Sequence, residues 1–310
     1  MYLQRTLRDE IECKSNGLHS GRKVSMKIKP ADVDEGIVFI RTDLPDNHRI
    51  KADIGNVCDT TLATTIGNNG SAVSTIEHLM SAFSGMGIDN AIVEVNAPEV
   101  PIMDGSALPF VRMLKTVGTQ TQGKCKKLLV INEAISVEDG VGAVMLLPAS
   151  EFKITYKIDF DHPAIGQQTY HMTFSDANYE EEICAARTFG FLKDVEYMQA
   201  RGLALGGSLQ NAVVLDDKTI INKEGLRCAN EFVKHKILDA IGDLSLLGMP
   251  IIGHFIAYKS GHRLNNQLLQ AVLARPENWS LVHQYRRQDH ANAARPLLVP
   301  DFRVLDVVNA

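Results

Sequence analysis

The chain has 310 residues and a net charge of −5, with 45% of its residues apolar and 22% charged. That balance fits a soluble globular protein of one large domain or two ordinary ones, and argues against broad attraction to nucleic acid or anionic lipid. No apolar run approaches the roughly 18 to 20 residues that cross a bilayer. "MYLQRTLRDEIECKSNG" lacks an apolar secretory core;. Cys13, Cys58, Cys125, Cys184 and Cys228 are scattered, with no C-x-x-C pair. An odd, scattered set suits a reducing compartment and argues against thiolate metal ligands. A cytoplasmic protein without a transmembrane segment or a nucleic-acid partner is expected, and it is expected to be a monomer.

In chain order, "VSMKIKP" alternates like a strand and "GIVFIRTDL" reads as another;. "SAVSTIEHLMSAFSGMG" predicts a helix, with Ser74 or Thr75 as its cap and Gly85 and Gly87 at its end;. "NAIVEVNAP" follows as a strand and "LPFVRMLKTVG" as a second helix. The polar stretch 116–127 is the best candidate domain boundary. Beyond it "KLLVINEAISVE", "GAVMLLPA", "FKITYKIDF" and "QQTYHMTF" read as strands. "DANYEEEICAARTF" predicts a helix capped near Ser175 or Asp176. The strand "NAVVLDD" precedes the helix "EFVKHKILDAIGDL", and "GHRLNNQLLQAVLA" is the last clear helix. Past Pro276, "YRRQDHANAARP" looks loose, whereas "LLVPDFRVLDVV" could form a short strand or dock on the body;. Strands and helices in similar proportion in both halves indicate an α+β protein. No sequence repeat relates the halves.

Three stretches could carry chemistry. His235, Asp239 and Asp243 recur at four-residue intervals and so share one helix face;. His235 and Asp239 can point at one metal ion, but the spacing also suits a helix with one wet edge. In "STIEHLMSAF", adjacent Glu77 and His78 point about 100° apart. They could split the work, with His78 on a metal and Glu77 on its water. A capping-box glutamate beside a half-buried histidine is the plainer alternative. His262 follows Gly261 at a strand–loop–helix junction, free either to face a cleft or to bond to backbone;. "GLALGGS" and "GNNGSA" match no phosphate-binding loop, and G-x-S-x-G and H-E-x-x-H are absent;.

Together, "SNGLHSG", "RTDL", "STIEHLMSAFSGMGIDNAIVEVNAPEVPIMDGSALPF", "CAARTFGF", "HKILDAIGDL" and "YKSGHRLNNQLL" stand in the order of one family. The chain resembles the UDP-3-O-acyl-N-acetylglucosamine deacetylases over residues 2–275. The resemblance implies two similar domains, each a sheet with two helices, the helices packed between the sheets. The first would span 1–120 and carry Glu77 and His78. The second would span 126–275 and carry His235, Asp239 and His262, with an acyl-passage insertion near 187–215. Residues 276–310 would be an extension. It further implies zinc on His78, His235 and Asp239, and the same donors accept ferrous iron. Glu77 would be the general base and His262 the charged catalytic histidine, supported by Asp243. Thr188 would lie near the oxyanion, and Lys236 would touch substrate. Phe189, Phe191, Leu192 and Met198 would contact the acyl chain. The expected reaction is hydrolysis of the N-acetyl group of a UDP-linked acylated glucosamine, the committed step of lipid A synthesis. Either Glu77 or His262 could protonate the leaving amine.

Overall fold

The computed structural model describes residues 3–283. Two five-stranded sheets organise it. The first runs Ile11–Asn16, Lys23–Pro30, Ala91–Val95, Ile37–Arg41, His48–Lys51. The second runs Ile135–Glu138, Ala143–Leu147, His254–Tyr258, Lys153–Phe160, Gly166–Thr173. Both have the same plan. Two hairpins flank a central strand that arrives last, antiparallel to one hairpin and parallel to the other. The halves thus share a topology that no sequence repeat reveals.

Helices α1 (Glu77–Gly85) and α2 (Leu108–Val117) precede and follow the first central strand. α3 (Asp176–Asn178) and α4 (Leu192–Gln199) belong to the second half. There, α5 (Glu231–Leu244) and α6 (His262–Leu273) precede and follow the central strand His254–Tyr258. α1 and α5 are therefore topological counterparts, and they pack on each other. One continuous apolar core joins the sheets to these helices, with Phe39, Val93, Leu79, Phe83, Leu238, Ile241, Tyr156 and Phe255 fully or almost fully buried. A glycine makes the helix approach possible. A Cβ on Gly242 would stand 2.1 Å from the Glu77 carbonyl oxygen.

Several expectations need correction. Neither Ser74 nor Thr75 caps α1: Ile76 is the N-cap residue and no side chain caps the helix. The Ser74 hydroxyl instead accepts from Thr65 Oγ1 at 2.9 Å, and Thr75 turns the chain at φ 58°. The candidate boundary 116–127 contains regular structure. Thr119–Cys125 is a strand paired antiparallel with Leu3–Leu7. After Ser175, whose side chain does cap α3, the backbone widens into a π-helix over Tyr179–Ile183 rather than continuing as α-helix;. Trp279–Val282 forms a strand against Leu128–Ile131. The expected strand or docking of "LLVPDFRVLDVV" lies outside the described residues.

Phe189–Phe191 and Val213–Leu215 form a parallel pair with α4 between them, a small βαβ unit inserted beside α5. Its segment 203–207 reaches the other half: Leu205 and Gly206 donate their N–H groups to the carbonyls of His19 and Leu18.

Candidate functional site

A cleft of about 270 Å³ opens where α1, α5, the start of α6 and the inserted unit meet. Glu77 and His78 reach it from the first turn of α1, and His235, Lys236 and Asp239 from the middle of α5. His262, the first residue of α6, completes it, with Thr188 and Phe189 on the wall.

His78 and His235 converge on one oxygen. Their Nε2 atoms lie 3.5 and 3.3 Å from Asp239 Oδ1. His235 Nδ1 donates to the Ala186 carbonyl at 3.0 Å, and a carbonyl can only accept, so His235 carries its proton on Nδ1;. Its Nε2 therefore turns a lone pair toward a carboxylate oxygen. Burial pushes the His235 pKa down to about 4, against the pull of Asp239, so the ring is neutral near pH 7. Asp239 Oδ1 is itself buried without a hydrogen-bond donor. Acceptors facing each other in a buried site are repulsive unless a cation lies between them. Donors about 2.0–2.1 Å from one tetrahedral ion stand roughly 3.3 Å apart, which matches these spacings. His78, His235 and Asp239 are thus a group that could hold a metal ion. Asp239's second oxygen accepts from Lys236 Nζ at 2.7 Å, which leaves Oδ1 for the ion. Burial alone would lower the Lys236 pKa, but the adjacent Asp239 carboxylate more than offsets it and the pKa is raised.

On the other side of the cleft, both Asp243 carboxylate oxygens are hydrogen-bonded. Asp243 Oδ2 accepts from His262 Nδ1 at 2.9 Å and Asn265 Nδ2 at 2.8 Å, and Oδ1 accepts from Thr64 Oγ1 at 2.6 Å. His262 Nε2 is then left to face the cleft, 3.9 Å from Glu77 Oε1. Burial opposes a charge on His262, yet the Asp243 and Glu77 carboxylates prevail and raise its pKa to about 9. Burial raises the Glu77 carboxyl, against the lowering pull of His262 and His78. Glu77 Oε2 accepts from the Thr64 N–H at 3.0 Å, which aims Oε1 inward. This bond replaces the capping role that the sequence allowed.

A buried ion pair holds the wall. Arg187 donates through its backbone N and Nε to Glu231 Oε1 at 3.0 and 2.9 Å. Glu231 opens α5, so the pair ties Ala186 and Thr188 to the helix that carries His235.

All the residues expected to act on the amide therefore meet: Glu77, His78, Thr188, His235, Lys236, Asp239 and His262 line one cleft, and Asp243 lies behind His262. Of the four residues expected to contact the acyl chain, only Phe189 lines it. Phe191 packs on Phe160 and His162 instead, Met198 is half-buried on α4, and Leu192 is 40% exposed. Leu18, His19, Leu62, Thr75, Phe160 and Ser260 also line the cleft, and the sequence marked none of them as a site residue. Most sit on loops or turns, where no periodicity marks a facing side. Gly242 did leave a trace, since a glycine inside a helix costs about 1 kcal/mol against alanine and implies a packing reason.

The family model described as UDP-3-O-acyl N-acetylglycosamine deacetylase matches residues 4–274. A UDP-3-O-acyl-N-acetylglucosamine deacetylase of Syntrophus aciditrophicus (strain SB) is 61% identical over the full length of both chains. One from Myxococcus xanthus (strain DK1622) is 50% identical over 93% of this chain and 91% of the relative. One from Haemophilus influenzae (strain 86-028NP) is 52% identical over 91% of this chain and 93% of the relative. The chain belongs to the UDP-3-O-acyl N-acetylglycosamine deacetylase family.

Proposed function

We propose that the chain hydrolyses the N-acetyl group of UDP-3-O-(3-hydroxyacyl)-N-acetylglucosamine. The products are acetate and UDP-3-O-(3-hydroxyacyl)-glucosamine, and the reaction is the committed step of lipid A biosynthesis. Family membership supports the substrate class. The observation that carries the chemistry is a His78–His235–Asp239 trio gathered at the unpaired Asp239 Oδ1, facing a hydrogen-bonded Asp243–His262 pair across Glu77.

The trio would hold zinc, or ferrous iron through the same donors, and the ion would polarise the acetyl carbonyl and acidify a water. Glu77 accepts a proton from the attacking water as the water oxygen adds to the carbonyl carbon. Its raised pKa suits a base working near neutrality;. His262 carries its second proton on Nε2, toward the cleft, because Asp243 engages Nδ1. That cation stabilises the negative charge on the carbonyl oxygen, together with the Thr188 hydroxyl. His262 then gives the Nε2 proton to the glucosamine nitrogen as the C–N bond breaks. Lys236 binds substrate oxygens beside Asp239. Phe189, Phe191, Leu192 and Met198 line the path of the acyl chain along the inserted unit. The same reading keeps two units, 1–120 and 126–275, and a monomer in the cytoplasm. Among the described residues, no helix is long and apolar enough to cross a membrane.

Acetate release from the UDP-linked acylated substrate and from its O-deacylated analogue tests this. Turnover is expected for the first, with a much lower kcat/KM for the second. Absence of turnover in metal-loaded protein overturns the deacetylase reading, and equal kcat/KM overturns the acyl path.

A further inference from the structure

Thr64 stands just before the strand Thr65–Asn68, at the end of the bend that leaves Val57–Asp59. Asp59 shapes that bend, its Oδ1 accepting from the Thr61 N–H at 3.0 Å and from Thr61 Oγ1 at 2.7 Å. Thr64 itself is 2% exposed, and each of its three polar groups is bonded. Its N–H donates to Glu77 Oε2 at 3.0 Å. Its carbonyl accepts from the Ile76 N–H at 3.3 Å, one residue before Glu77. Its Oγ1 donates to Asp243 Oδ1 at 2.6 Å. One residue thus touches both the proposed base on α1 and the carboxylate on α5 that holds His262. Both carboxylates need such a hold. The last torsion of an Asp or Glu side chain is broad, so its rotamer leaves the plane of the carboxylate unfixed. Glu77 Oε1 and Asp243 Oδ2 keep their aim when the opposite oxygen is pinned, and Thr64 pins both.

We propose that Thr64 is a positioning residue that sets the register between the proposed base Glu77 and the proposed acid His262. This rests on the deacetylase reading above. On Glu77 it acts through its backbone N–H, which any residue but proline supplies. On Asp243 it acts through its hydroxyl, which valine, of nearly the same shape, lacks and serine retains. The branched Cβ of threonine is stiff at χ1, so that hydroxyl is held in place more firmly than a serine's. Asp243 Oδ2 serves His262 Nδ1 and Asn265 Nδ2, so a carboxylate that turns away from Thr64 also turns away from His262. His262 Nε2 then loses its aim at the cleft, where it stands 3.9 Å from Glu77 Oε1. Thr64 lies behind the residues that line the cleft. Its effect should therefore fall on the chemical step and not on substrate binding.

Steady-state kinetics on the UDP-linked substrate with Thr64→Val, Thr64→Ser, Asp243→Ala and the Thr64→Val/Asp243→Ala double variant tests the proposal, with wild-type turnover first establishing the deacetylase reading independently. Thr64→Val keeps the N–H to Glu77 and removes the hydroxyl. It should lower kcat about tenfold or more, the loss of a hydrogen bond to a charged group, with KM within about twofold. Metal content by elemental analysis should match wild type. Thr64→Ser should recover most of the lost kcat. In the Asp243→Ala background the valine should cost no further kcat, because the acceptor through which the hydroxyl acts is gone. A role in stability alone would lower the midpoint of denaturant melts and leave kcat of the folded protein unchanged. If Thr64→Val does not fold, Thr64→Ala removes the same hydroxyl without setting a methyl group against Asp243, and the same outcomes are expected. An unchanged kcat, losses that multiply in the double variant, or a serine variant as slow as the valine one would overturn the proposal. So would failure of both hydroxyl-free variants to fold while Thr64→Ser folds, since the hydroxyl would then serve folding.

Discussion

α1 and α5 hold the same place beside two sheets of the same strand order, yet they serve the cleft differently. α1 offers its end: Glu77 and His78 are its first two residues, and the rest of it is core. α5 offers its side, where His235 and Asp239 line the cleft and Asp243 backs His262. One scaffold is thus used twice without symmetry in the chemistry. The end of a helix can present adjacent residues in different directions, so Glu77 and His78 face different partners. The side of a helix repeats one direction, so α5 supplies a row: two proposed ligands and the carboxylate that holds His262. Only where the two helices touch, at Gly242, do both sets fall within reach of one cleft.

The largest effect comes from removing what α1 contributes alone. Glu77→Gln should lower kcat by about 10²–10⁴, the usual contribution of a positioned general base, while metal content stays near wild type. Elemental analysis beside the rate measurement checks both halves of that statement. A variant that keeps full rate would mean that α1 supplies only His78.

Gly242→Ala breaks the comparison at its point of contact. The added methyl meets backbone rather than a flexible side chain, so the helices must part. Overpacking of this kind costs about 1–3 kcal/mol. Lower stability in denaturant melts should come with weaker metal retention, because His78 moves away from His235 and Asp239. Unchanged stability would mean that the helix approach is not tight.

The gentlest change acts on the row itself. Asp243→Asn keeps an acceptor for His262 Nδ1 but removes the charge that does most to raise the His262 pKa toward 9. In the proposed mechanism His262 works as the cation, which is lost as pH rises through its pKa. A lower pKa therefore moves the alkaline limb of kcat/KM to lower pH, by about 1 unit or more. A limb that stays in place would assign it to another group.

Much of this architecture could be read from the chain. The four-residue rhythm of His235, Asp239 and Asp243 survives as one helix face, and α2 and α6 follow their apolar periodicity. What periodicity could not show was pairing at long range. Thr119–Cys125 is polar and largely exposed or half-buried, so it resembles a linker until Leu3–Leu7 is seen beside it. Tyr179–Ile183 was expected to be α-helical because the same residues suit an i→i+4 or an i→i+5 ladder, and the local packing of Tyr179 on Gly85 and Ser81 decides. The identity of Glu77 was legible, but its direction was not: only the fold brings Thr64 to its carboxylate. The Glu99 carboxylate that accepts from the His19 N–H was hidden for the same reason, since it lies 80 residues away in the chain.

The central claim is that three side chains from two counterpart helices hold one metal ion. Metal content of protein purified without added metal, measured by elemental analysis in wild type and in His78→Ala, His235→Ala and Asp239→Ala, tests it most directly. The structure predicts about one equivalent of zinc or iron in wild type and a large loss in each variant, whereas removing a group outside the ligand set should weaken affinity only about 10- to 100-fold. Near-stoichiometric metal in all three variants would contradict it.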